Sequence, residues 1–248
     1  MKKIVVKDGV IPNIDSNVAC IGYFDGVHKG HQALINFTKY LADSNNLKSM
    51  VICFDPDPVD VIDPKNKNMH LLSKKDRLSS FEALGIDIVC IIKFTKDLMK
   101  LNSKDFIVNY LSKMNIDTIV CGYDFTFGNM GKGNSNTLSK YINTVVIDEV
   151  SYYGKKISST RIREAIREGN FKLANRLLGY EYTIRLKVKF SIQYGSESIS
   201  EAICVDKNQV LPIESPYDDI TILSDHFFFK NILDLSVGDE IILVFKNE

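Results

Sequence analysis

Net charge, paired cysteine spacing and long apolar runs are all missing from this sequence of 248 residues, and each absence removes a class of function. Its 31 Lys and Arg are matched by 31 Asp and Glu, so no chain-wide basic field draws in nucleic acid or anionic lipid. A local anion site is compatible with that balance. No run approaches the roughly 18 apolar residues of a membrane-spanning helix. The opening MKKIVVKDGVIPNID brings charge and Pro too early for the apolar core of a signal peptide, so the expected location is the cytoplasm. The five cysteines (Cys20, Cys53, Cys90, Cys121 and Cys204) lack CxxC spacing and sit in apolar runs. An odd number in a long chain speaks against a disulfide framework, and buried reduced thiols are expected.

Several ligand motifs are missing too. Gly128-Asn-Met-Gly-Lys-Gly133 has the wrong spacing for a P-loop, and no GxGxxG follows the first apolar run. There is no HExxH, and neither a Cys nor a third His stands near the pair His28 and His31, so protein-ligated zinc is disfavoured. No internal repeat or low-complexity linker is present.

What is present is an alternation. From residue 18 to about 150 the runs VACIGYF, SMVICF, DIVCIIKF, DTIVCGYDF and TVVIDEV are separated by stretches of helical period. Leu34, Ile35, Phe37 and Leu41 form one such stripe within His31 to Leu41; Phe106, Ile107, Tyr110, Leu111 and Met114 form another within 106–114. The fold class is therefore α/β, a doubly wound Rossmann-like parallel sheet. Near residue 182 the period becomes two: Ile184, Leu186, Val188 and Phe190 alternate with Arg185, Lys187 and Lys189, and EAICV, QVLPI, DITIL and EIILVF follow between turn signals. Residues 183–248 are expected to form a small all-β domain after a larger one spanning 1–182.

Two segments carry chemistry. Gly22-Tyr-Phe-Asp-Gly-Val-His-Lys-Gly-His31 leaves the first strand and enters the first helix, the place where open parallel sheets bind ligands. Gly26 and Gly30 permit close backbone approach, and the helix start offers unpaired N–H groups to an anion. His28 and His31, two of only four histidines, stand three apart, so both rings can face one ligand. The second segment is Ile157-Ser-Ser-Thr-Arg-Ile-Arg163. Ser159 or Thr160 can cap a helix here, but Arg161 and Arg163 then oppose the helix dipole, which a bound polyphosphate would reverse.

At these residues the chain resembles the HxGH nucleotidyltransferases, and within them the prokaryotic FAD synthetases, which are usually fused to riboflavin kinase. GYFDGVHKGHQALI, GYDFTFGNMGKGNSNTL and ISSTRIR are similar to three of that family's blocks, in order, and LLGYEYTI resembles the end of its adenylyltransferase domain. The resemblance covers about residues 15 to 184. It implies transfer of AMP from ATP to FMN, giving FAD and pyrophosphate, with Mg²⁺ carried on the ATP phosphates. It assigns His28, His31 and Arg163 to catalysis, and Gly22, Tyr23, Phe24, Asp25, Gly30, Ser158, Ser159, Thr160 and Arg161 to the nucleotide. It assigns Asp57, Asp124, Phe125 and Phe127 to the flavin. No protein metal ligand, nucleic acid or membrane partner is implied.

Departures accompany the match. The family commonly has His where Asp57 stands and Arg where Thr126 stands, both where the resemblance places ligand sites. The Gly-Phe-Pro-Thr-Ala-Asn stretch of a riboflavin kinase is replaced by IRLKVKFSIQYGSESIS, so the kinase activity is expected to be missing. The β region is then either a shortened kinase-like barrel or an unrelated module. The alternatives are an HxGH enzyme for another phosphorylated acceptor, such as pantetheine phosphate or nicotinamide mononucleotide, and a non-catalytic flavin- or nucleotide-binding regulator.

Overall fold

The expected apolar runs become the strands of a parallel sheet, and the elements around them follow in a computed structural model describing residues 1–63, 69–194, 197–231 and 235–246. In chain order they are β1 (Lys2–Val6), β2 (Asn17–Ile21), α1 (Lys29–Ser44), β3 (Lys48–Asp55), α2 (Pro58–Ile62), α3 (Lys74–Ala83), β4 (Ile88–Lys93), α4 (Lys96–Lys100), α5 (Ser103–Asn109), β5 (Ile116–Gly122), β6 (Thr126–Phe127), β7 (Gly133–Asn134), α6 (Ser135–Leu138) and β8 (Asn143–Ile147). Then come β9 (Ser151–Tyr152), β10 (Lys155–Lys156), α7 (Ser159–Arg167), α8 (Phe171–Leu178), β11 (Tyr182–Tyr194), β12 (Glu197–Cys204), β13 (Ile220–Leu223), β14 (His226–Lys230) and β15 (Glu240–Phe245).

Two compact units divide the chain: residues 1–68 with 74–156, and 69–73 with 157–248. The first is built on a six-stranded sheet of order β1-β4-β3-β2-β5-β8, parallel at every pairing. Its central strands are covered on both faces, so β2 is buried along its whole length and reads as a continuous apolar run. β1 is an additional edge strand whose Lys-Lys start and half-exposed pattern give it no such run. The buried stripe of α1 is Leu34, Ile35, Thr38 and Ala42. Phe37 and Leu41 flank it half-buried, and Thr38 can join it because its hydroxyl donates to the Leu34 carbonyl. The expected helix over 106–114 is shorter: α5 stops at Asn109 and a 3-10 turn spans 111–113, yet Phe106, Ile107, Leu111 and Met114 still enter the core.

The second unit joins α7 and α8 to an antiparallel five-stranded sheet of order β13-β14-β12-β11-β15. Tyr182, Ile184, Leu186 and Val188 point inward on β11. Phe190 departs from the expected alternation: a bulge between Val188 and Phe190 shifts the register, and Phe190 is 48% exposed. QVLPI is not a strand. Gln209 makes only an isolated bridge to His70, and its amide instead donates to the Thr183 carbonyl at 2.7 Å. The strand HFFFK (β14) takes the place beside β12. Asn175 anchors α8 to the sheet, donating to the Phe245 carbonyl at 2.7 Å and accepting from Tyr182 N–H at 2.8 Å.

Candidate active site

β2 and β5 are neighbours at the point where the order of the first sheet reverses, and the loops leaving their carboxyl ends carry the expected residues. After β2 the chain makes a tight coil. Phe24 (φ 61°), Gly26 (φ 75°) and Val27 (φ 35°) all have positive φ. A left-handed non-glycine residue costs about 1–2 kcal/mol, so surroundings must hold the coil. The Phe24 ring is buried edge-on against Phe81 and His31, with centroids 5.7 and 5.3 Å away. The Tyr23 carbonyl accepts from Arg77 Nη1 at 3.1 Å, while the guanidinium lies 4.5 Å from the Tyr23 ring centroid. Gly22 leaves only room for this packing, since a Cβ there would meet the Phe24 ring at 3.1 Å. Asp25 is buried at the turn.

His28 closes the coil and caps α1: its Nδ1 accepts from the His31 backbone N–H at 3.3 Å, which leaves Nε2 as the protonated nitrogen. The two rings stack 3.6 Å apart, 14° from parallel. Burial first, then the neighbouring His28, Lys156 and Arg77, holds His31 well below its usual 6.5. Its Nδ1 is buried without a hydrogen-bond partner among the described residues. The stacked rings stand at the N-terminus of α1, where unpaired N–H groups and the helix dipole favour negative charge. Gly30 sits half-buried in the first turn.

Beyond β3 and β5 lies an apolar slot of about 330 Å³. Phe54, Phe94, Phe106, Phe125 and Phe127 line it, with Pro58 and Met99 among the other walls. Phe125 and Phe127 stack at 5.5 Å. Glycine is needed here: a Cβ on Gly128 (φ 72°), which lines the slot, would come within 2.8 Å of the Ser103 backbone, and one on Gly133 would come within 2.8 Å of the ring of the lining residue Phe127. Asp124 is not among the lining residues and pairs with Lys156. Asp57 is buried and caps α2, accepting from Val59 N–H at 2.8 Å. Thr126 stands exposed at the slot's mouth.

In the second unit the helix cap is Ser158, accepting from Arg161 N–H at 3.3 Å, so Ser159 and Thr160 are the first helical residues and not caps. Arg161 occupies the first turn and Arg163 the next. Arg163 Nε donates to the Met69 carbonyl at 2.7 Å. The helix ends as expected at Gly169 (φ 71°).

The FAD synthetase family profile matches residues 11–161. The chain belongs to the FAD synthetase family. A bifunctional riboflavin kinase/FMN adenylyltransferase from Listeria monocytogenes is 37% identical over 175 residues, 68% of this chain and 56% of that protein. The protein of the same description from Bacillus subtilis is 34% identical, over 68% of this chain and 55% of its own length. The chain thus spans little more than half the length of these curated relatives. Among solved structures, a crystal structure described as a macrolide-efflux protein from Streptococcus pneumoniae superposes with TM-score 0.84 at 26% identity, covering 100% of this chain and 90% of that one. No helix among the described residues is long and apolar enough to cross a membrane.

Sequence reasoning missed Arg77, Lys156, Phe54 and Phe94. The two phenylalanines were within reach of it, as each ends an apolar strand run where such sheets open to ligands. Arg77 had no signal, because α3 lacks a marked apolar stripe.

Proposed function

We propose that this FAD synthetase family member is an ATP-dependent FMN adenylyltransferase. The observation that carries the reading is the stacked His28 and His31 at the start of α1 in the same unit as a phenylalanine-lined slot. The slot suits a flat aromatic ring, and the histidine pair suits a phosphate.

In the reaction an oxygen of the FMN phosphate attacks the α-phosphorus of ATP. A new P–O bond forms, the bond from the α-phosphorus to the α,β-bridging oxygen breaks, and pyrophosphate leaves with that electron pair. No protein nucleophile is needed; positioning and charge stabilisation suffice. His28 presents Nε2–H to the α-phosphoryl oxygens, and His31 beside it strengthens its hold as charge develops. Gly22, Tyr23, Phe24, Asp25 and Gly30 offer backbone to the nucleotide, Arg77 holding the Tyr23 carbonyl in place. Phe125 and Phe127 receive the isoalloxazine, while Asp57 supports that wall by capping α2. Ser158, Ser159, Thr160, Arg161 and Arg163 are assigned to the β- and γ-phosphates from the family's motif.

Among the described residues no group of three or more His, Cys, Asp or Glu stands together to cage a metal. Mg²⁺ is expected on the ATP phosphates and water, where it would neutralise their charge. The five free, buried thiols suit a reducing cytoplasm. Burial pushes Cys20 and Cys90 up to about 12, and Cys53, Cys121 and Cys204 to about 11.

A pyrophosphate-release assay with an acceptor panel tests the assignment. FMN should support release; pantetheine phosphate and nicotinamide mononucleotide should not. Release with either of those alone would move the enzyme to another acceptor, and release with none would favour a binding protein. Riboflavin with ATP should give no FMN, since the segment after LLGYEYTI lacks the kinase stretch.

A further inference from the structure

The slot and the histidine pair belong to one compact unit, and a single side chain links them electrically. Every residue lining the slot is uncharged, so a charged tail on its occupant meets no cation within the described walls. Lys156, at the end of β10, pairs with Asp124 and stands 5.1 Å from the centre of the Tyr123 ring. Tyr123 and Asp124 directly precede the slot residues Phe125, Thr126 and Phe127. The same ammonium acts on His31, where it helps to disfavour a second positive charge. Lys156 thus sits within electrostatic reach of both the slot's rim and the ring whose Nδ1 is buried without a partner among the described residues.

We propose that Lys156 is a further binding residue, which exchanges Asp124 for the phosphate of a phosphomonoester whose aromatic ring fills the slot. The identification of that ligand as FMN rests on the function proposed above. The exchange is easy because both partners are partly exposed, with 39% of the Lys156 and 54% of the Asp124 side chain accessible, and such pairs contribute little on their own. A phosphate dianion offers the ammonium more charge and more acceptors than a carboxylate does. Asp124 becomes the counter-ion that holds Lys156 in readiness while the slot is vacant. The carboxylate opposes the exchange, because it repels the phosphate most once Lys156 has turned away from it.

Titrating the full chain with FMN and with riboflavin, followed by flavin fluorescence, separates this inference from the reading beneath it. The wild type should favour FMN over riboflavin. Lys156→Gln should weaken FMN binding by about tenfold, the scale of one hydrogen bond to a charged group, and leave riboflavin affinity unchanged. That unchanged affinity also reports an intact fold. Lys156→Arg should restore most of the FMN preference, and Asp124→Asn should preserve or raise it. An unaltered ratio of FMN to riboflavin affinity in Lys156→Gln, or equal weakening of both flavins, would overturn the role of Lys156 while leaving flavin binding intact. A wild type that binds neither flavin would overturn the flavin reading itself, and this inference with it.

Discussion

Strand β2 is buried at all five positions, whereas β12 alternates exposed and buried residues along its length. The first belongs to a parallel sheet covered on both faces, and the second to an antiparallel sheet with one face away from its core. The consequence reaches the chemistry. Parallel strands release their carboxyl ends into loops on a single edge, and the coil at 22–28 and the slot residues at 125–131 emerge from that edge. Antiparallel strands return through turns at both ends. In the second unit the expected anion residues accordingly lie on α7 and not on the sheet.

Breaking each sheet's contribution should give different losses. Phe245 is fully buried on β15 and stacks on Phe171 at 4.2 Å. Phe245→Ala should lower stability by about 3–5 kcal/mol, read as a lower denaturant midpoint; a midpoint within experimental error of wild type would contradict its place in that core. His31→Ala should leave the fold intact and cut turnover by about 10² to 10³, the scale on which removing one transition-state contact acts. Undiminished FAD formation would remove His31 from the chemistry.

Gly128→Ala sharpens the contrast at the slot. The new Cβ must displace the Ser103 backbone, with a cost of about 1–3 kcal/mol together with weaker flavin binding. Wild-type flavin affinity in that variant would mean the slot is not where the ring goes. The smallest effect is the pH dependence of His31. Above its ordinary 6.5 the folded and unfolded chains both hold it neutral. As pH falls below that value the unfolded chain takes up a proton that the native one refuses, so stability declines by no more than about 1.4 kcal/mol per pH unit from this group. Urea midpoints of the wild type should fall more steeply below that value than those of His31→Gln, and parallel curves would contradict a buried neutral ring.

The parallel unit was legible in the sequence because continuous burial writes itself as continuous apolar runs, and the HxGH segment announced its helix start. The antiparallel unit was less so: one bulge moved Phe190 to solvent, and QVLPI resembled a strand while serving as a bridged loop. At the site, the histidines could be found from their spacing. Arg77 and Lys156 act through a carbonyl, an aromatic ring and a carboxylate that are distant in the chain, and no local pattern encodes such meetings. Ser158 rather than Ser159 or Thr160 became the cap because the chain turns extended there, at φ −144° and ψ 154°.

The central claim is the transfer itself. Incubating the full chain with ATP, Mg²⁺ and FMN and quantifying both products should yield FAD and pyrophosphate in equal amounts, with neither formed when riboflavin replaces FMN. Pyrophosphate without FAD, or no product while FMN remains bound, would contradict it.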